Sequence, residues 1–243
     1  MAEEQLAGVM VAGHRLTPEV SASLQEASAT TGVNFDFLVA QATVESGLRN
    51  VQSRHSSAAG LFQFTTQTWL RMIRAHGAQY GLSDLASEIT TLGNGHLGVS
   101  DRASEQKILD LRGDVKLSAI MAGELAKENA QSLEKALHRK ANPAELHLAH
   151  LLGASGAVRV LRARAADPSQ SAAALTPQAA KHNPQLFYER GNHTPVTVAG
   201  LYGKIKTRIE TPLKQLAAAQ RPAASDGLRP GPGLSDDLPK RRV

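Results

Sequence analysis

Cysteine is absent from the 243 residues, which excludes disulfides and thiol chemistry and leaves the redox compartment unmarked. Aromatic residues are scarce at 4%, with one Trp, three Tyr and five Phe, while Ala and Leu dominate. That balance favours close-packed helices over a β-sandwich. No apolar run is long enough to cross a bilayer, so no transmembrane segment is expected. The opening Met1-Ala2-Glu3-Glu4-Gln5-Leu6 carries acids where a secretory leader needs a basic region, so no targeting signal is expected there. What is present is a modest basic excess: 27 Lys and Arg against 22 Asp and Glu, net +5, with a pI near 9.6. Such a charge suits an acidic polymer, whether cell-wall carboxylates, anionic lipid headgroups or nucleic acid, or serves solubility alone.

Helix signals recur along the chain and strand signals do not. Thr17-Pro18-Glu19 reads as a cap, a first-turn proline and an acid, with Val20, Leu24 and Ala27 as the stripe before Gly32. Asn34 or Asp36 caps the next helix, with Phe37, Ala40 and Val44 at core spacing and Gly47 as the stop. Thr65 or Thr66 opens a helix ending near His76-Gly77, and Ser83 and Ser100 cap two short helices around a flexible Gly93-Asn94-Gly95. Asp114 begins a longer helix, Asn142-Pro143 another, and 156–165 and 198–219 read as the last. The expected organisation is an all-α domain over 17–219, a flexible N-terminal arm over 1–16 and a disordered tail over 220–243. The tail is rich in Pro and Gly and too poor in core residues to fold, which suits a tether or docking segment.

Glu45 is the residue that points to chemistry. Ala42-Thr43-Val44-Glu45-Ser46-Gly47-Leu48 sets one carboxylate in the last turn of a helix, facing the negative end of the macrodipole on the side shared with Leu38 and Gln41. Dipole and desolvation both disfavour the ionised form, as a general acid working near neutral pH requires. A Gly/Ser-rich stretch follows: Ser56-Ser57-Ala58-Ala59-Gly60-Leu61-Phe62-Gln63-Phe64, then Thr65-Thr66-Gln67-Thr68-Trp69-Leu70.

Taken with Glu45-Ser46, Gly60-Leu61-Phe62-Gln63 some fifteen residues on resembles the SLT-type lytic transglycosylases, lysozyme-like enzymes that cleave peptidoglycan. The family's Ala-Tyr-Asn-Ala-Gly segment is matched by Ala149-His150-Leu151-Leu152-Gly153. The variant resembles most a branch that includes flagellum-associated enzymes, over about Pro18 to Leu201. The resemblance implies a lysozyme-like (SLT) helical fold, no cofactor and no metal. It makes Glu45 the catalytic residue and Ser46, Gly60, Phe62, Gln63 and His150 the substrate-binding ones. Ser46 would bond the Glu45 carboxylate or a substrate amide, Gly60 would let backbone approach a sugar, and Gln63 would hold an N-acetyl group. Phe62 and Phe64 form a stacking wall or go to the core. His150 stands where the family has Tyr, beside Leu146 and Ala149, and Leu151 replaces the Asn. His147 and His150 are three apart on a helix, but no third ligand is evident, which argues against a metal site.

The same resemblance implies one-acid chemistry. Glu45 would protonate the oxygen between N-acetylmuramic acid and N-acetylglucosamine, then accept the C6 hydroxyl proton as a 1,6-anhydro ring closes. Glu124, on the apolar stripe of Leu117 and Met121, is either the second acid of a hydrolytic muramidase or a salt-bridge partner of Lys or Arg, the latter being favoured. A non-catalytic wall-binding assembly module is the remaining alternative. Expected partners are glycan strands and, through 220–243, a flagellar or secretion scaffold, not nucleic acid. The expected place is the periplasm or cell envelope, reached by a leader not seen here, by a dedicated secretion apparatus or after lysis.

Overall fold

Side-chain caps delimit most of the helices. In the computed structural model, which describes residues 8–53, 56–191 and 194–221, Thr17 Oγ1 accepts from Val20 N and Pro18 opens α1 (Pro18–Thr31). Asn34 Oδ1 accepts from Phe37 N to start α2 (Phe35–Ser46), and Gly47 ends it at φ 64°. Thr65 starts α3 (Thr66–His76), followed by a 3-10 turn over Gly77–Tyr80, α4 (Ser83–Glu88) and α5 (Arg102–Asp110). A second 3-10 turn over Leu111–Gly113 leads into α6 (Val115–Leu137), capped by Asp114. A full capping box starts α7 (Pro143–Ala166), with Asn142 accepting from Glu145 N and the Glu145 carboxylate accepting from Asn142 N. Three short helices, α8 (Ala172–Leu175), α9 (Pro177–His182) and α10 (Pro184–Phe187), precede α11 (Val198–Ala219).

The described residues are thus mostly helical, as the composition implies, with two exceptions. Residues 8–16, expected in a flexible arm, form a hairpin in which β1 (Met10–Val11) pairs antiparallel with β2 (His14–Arg15). Val11 and Leu16 are fully buried, so this segment is anchored in the core. The second ribbon joins β3 (Thr90–Thr91) to β4 (Leu97–Gly98) across Gly93-Asn94-Gly95, where the sequence suggested only a flexible break. Two caps also differ: α4 has no side-chain cap, and Asp101, not Ser100, accepts from Ser104 N at the start of α5. Most of the expected tail, residues 222–243, lies outside the described residues. Among the described residues no helix is long and apolar enough to cross a membrane.

Packing places α2 between two apolar clusters. One cluster joins Leu38, Val39 and Ala42 of α2 to Leu24, Phe62, Phe64, Trp69, Met72 and Met121. The other joins Phe37 and Ala40 to Leu148, Val160, Phe187, Leu201 and Ile205. A helix apolar around its circumference belongs inside a domain. α2 does so, with α1 and α11 against it, while α6 packs on α1 and α7, and α7 on α11. Its C-terminal turn therefore carries Glu45 inward.

Candidate active site

Glu45 occupies the last turn of α2, its side chain 15% exposed, and its Oε1 has no hydrogen-bond partner among the described residues. Two imidazoles from α7 approach that oxygen. His150 Nε2 lies 3.4 Å away and His147 Nδ1 lies 3.8 Å away. The two rings are nearly parallel, 10° apart with centroids separated by 6.1 Å. His150 is 12% exposed, and His147 is fully buried. Burial above all, then the neighbouring His150 and Arg208, drives the His147 imidazole from 6.5 down to about 3. At neutral pH His147 is therefore uncharged, and its contact with Glu45 is not an ion pair. A carboxyl whose Oε1 is buried and unpaired, on a side chain that still reaches the surface, can pass a proton to a bound ligand and take one back.

The C-terminal end of α7 turns away after these residues. Gly153, the last residue of Ala149-His150-Leu151-Leu152-Gly153, has φ 70° and ψ 159°, which breaks the helix in two before Ala154. That conformation is open to glycine and strained for other residues. The expected separate helix over 156–165 is the far limb of this broken element.

The Gly60–Gln63 segment is a tight turn held to the same helix end. Ala59 and Phe64 pair antiparallel, and Gly60 N donates to Val51 O at 2.9 Å. Ser46 Oγ is buried and donates to Leu61 O at 2.7 Å while accepting from Arg49 N at 3.2 Å. It also faces Ala42 O at 3.1 Å, so its proton is directed to backbone carbonyls and not to the Glu45 carboxylate, one of the two partners expected for it beside a substrate amide. The hydroxyl proton is used to tie the turn to α2. Gln63, at φ 49°, donates from Nε2 to Val51 O at 2.9 Å and to Gly60 O at 2.8 Å, so both its N–H groups serve the turn. Only its carbonyl oxygen is left for a ligand.

Gly60 has a packing reason. A Cβ there would stand 2.2 Å from Arg112 O, and φ is 82°. The buried Arg112 guanidinium in turn donates to Ser57 O and to Phe64 O at 3.2 Å, so it clamps both sides of the turn. Phe62 and Phe64 are both core residues, 0% and 1% exposed, with Phe64 edge-on to Trp69 at 5.2 Å. Phe62 as a sugar-stacking surface is therefore corrected: its ring has no face free of protein.

The structure brings together Glu45, His150 and His147, the last of which the sequence offered only as half of an incomplete metal pair. Its signal was a polar residue at a core position, which says nothing about what it faces. Among the described residues no group of three His, Cys, Asp or Glu side chains is placed to hold a metal ion.

Glu124 belongs to a different cluster. It is 4% exposed, accepts from Tyr80 Oη at 2.8 Å, and has Lys127 Nζ at 3.6 Å and His76 Nδ1 at 3.8 Å. Burial first, then Glu124, pushes the Tyr80 phenol up to about 12. Glu128 extends the cluster, accepting from His76 Nε2 at 2.7 Å and Arg71 Nη1 at 2.6 Å. Burial opposes its ionisation, but these two bonds outweigh it and hold its carboxyl below the usual value. Glu124 thus has Tyr80, His76 and Lys127 around its carboxylate. No protein-family model matches the chain.

Proposed function

We propose that this protein is a peptidoglycan lytic transglycosylase with a lysozyme-like fold, working in the cell envelope without a second acid. The observation that carries the reading is the half-shielded Glu45 carboxyl, its Oε1 unpaired and opposed by two imidazoles, beside a turn fastened to its own helix by Ser46 and Leu61. The motif resemblance supplies the substrate. Glu45 protonates the glycosidic oxygen as the bond to C1 of the muramic sugar breaks. The C6 hydroxyl then adds to C1, and its proton returns to Glu45. The products are an N-acetylglucosamine end and a 1,6-anhydromuramoyl end, with no water consumed. His150, beside Oε1 and partly exposed, is placed to bond either the carboxyl or the sugar. The Tyr80, His76 and Lys127 contacts of Glu124 favour one-acid chemistry over a hydrolytic muramidase.

Digestion of purified peptidoglycan followed by mass spectrometry tests this directly. Transglycosylation yields anhydro ends one water lighter than the reducing ends left by hydrolysis. A digest of reducing ends would make the protein a muramidase, and no cleavage at all would make it a wall-binding module. Glu45→Gln keeps the shape but cannot transfer a proton, so turnover should fall by roughly a hundredfold to ten-thousandfold with unchanged melting.

The tail after Gln220 is proposed to recruit the enzyme to a flagellar or secretion scaffold. Its removal should leave cleavage of isolated peptidoglycan near the full-length rate. Loss of activity on short soluble strands would end that division of labour.

A further inference from the structure

His147 is fully buried, and neither ring nitrogen has a hydrogen-bond partner among the described residues. A buried imidazole left unsatisfied is costly, and an apolar side chain in the same space, beside Leu148 and Ala149, would avoid the penalty. The charged and titratable groups facing it come from three elements: Glu45 on α2, His150 on α7 and Arg208 on α11. Of its two nitrogens, Nδ1 lies 3.8 Å from Glu45 Oε1, which is itself unpaired. That gap is too long for a hydrogen bond, but bonds of this kind often shorten only when substrate is bound.

We propose that His147 is a positioning residue for Glu45: with its proton on Nδ1, it donates to the Glu45 carboxylate once that group has protonated the leaving oxygen, and holds it in place to accept the next proton. The inference rests on the acid-then-base reading of Glu45. The protons balance, because one leaves Glu45 for the glycosidic oxygen, one returns from the C6 hydroxyl, and His147 keeps its own. A neutral ring suits the role, since a buried imidazolium would hold Glu45 ionised from the start and abolish the acid step. His150 differs in setting: its Nε2 lies 3.4 Å from the same buried oxygen, but its ring is 12% exposed and reaches ligand as well as Glu45, whereas His147 is closed off from solvent.

The test compares His147→Phe, which fills the space without a donor, with His147→Asn, whose amide nitrogen falls near the Nδ1 position. In His147→Phe, kcat should drop roughly tenfold to a hundredfold, the size of one hydrogen bond to a charged group. KM should stay within about twofold, as expected for an interaction made only after binding. Melting should be unchanged or higher, and His147→Asn should regain part of the lost rate. A His147→Phe protein that melts normally with wild-type kcat overturns the proposal, as does an equal loss in the Asn variant.

A second measurement needs no turnover. Imidazole 15N NMR of the wild-type protein should place the His147 proton on Nδ1, without titration between about pH 5 and 8. A proton on Nε2 overturns the proposal. Wild-type digests run alongside separate the two ideas: absence of anhydro ends removes the transglycosylase reading, while the NMR tautomer still decides whether His147 can donate to Glu45.

Discussion

Ser46 and Gly60 show why a residue's type does not reveal its job. Both fit a substrate cleft by their place in the sequence, yet Ser46 spends its proton on Leu61 O and Gly60 exists to let Arg112 O approach. Gly60→Ala meets that carbonyl and also forces a side chain into positive φ, so it should destabilise the fold by about 2 kcal/mol or more, read by denaturant unfolding. A wild-type midpoint would mean the turn shifts freely and that Arg112 does not clamp it. Gln63 differs, since its nitrogen holds the turn while its oxygen stays available, which lets one amide be structural and ligand-binding together.

The start of α7 governs the two histidines. Glu145, 1% exposed as a side chain, takes two hydrogen bonds from Arg139, at 2.6 and 2.8 Å, and closes the capping box on Asn142. Burial raises its carboxyl value, but the Arg139 and Asn142 bonds outweigh that and hold it below normal. Glu145→Gln should cost about 1–2 kcal/mol, because the cap is neutralised and the Arg139 pair is lost, while the half-exposed Arg139 is rehydrated. Thermal unfolding measures this, and an unchanged Tm would show that the tight contacts along α6 and α11 alone fix α7. At Gly123 a Cβ would stand 2.5 Å from Thr31 Oγ1, so α1 and α6 meet closely only because that position lacks a side chain.

Across the whole protein, stability should fall in acid and in strong base for separate reasons. His147 has a folded value depressed below 6.5, so its contribution is present above 6.5 and is lost as pH falls toward about 3. Glu128 and Glu145 are depressed from 4.5, so theirs is present above 4.5 and is lost as pH drops below it. Tyr80 is raised from 10, so its contribution is intact below pH 10 and disappears as pH climbs to about 12. Melting curves from pH 7 to 4 should therefore decline, and His147→Phe should decline less. Equal slopes in the two proteins would contradict a neutral, buried His147.

Caps and apolar spacing made much of the helical frame legible, because Thr17, Asn34, Thr65, Asp114 and Asn142 act on backbone within one turn of themselves. The same local logic put Glu45 at a helix end and His150 on a helix. It failed at the 8–16 hairpin, whose two-residue strands are too short to show alternation and are fastened by the burial of Val11 and Leu16. It also failed for Phe62, since an aromatic ring beside a glycine turn fits a cleft or a core equally well until the surrounding helices close over it. The meeting of His147 with Glu45 depends on how α2 and α7 cross, a distance relation between segments far apart in the chain. No spacing within either segment encodes that distance; the packing of both helices against α11 and the common core sets it.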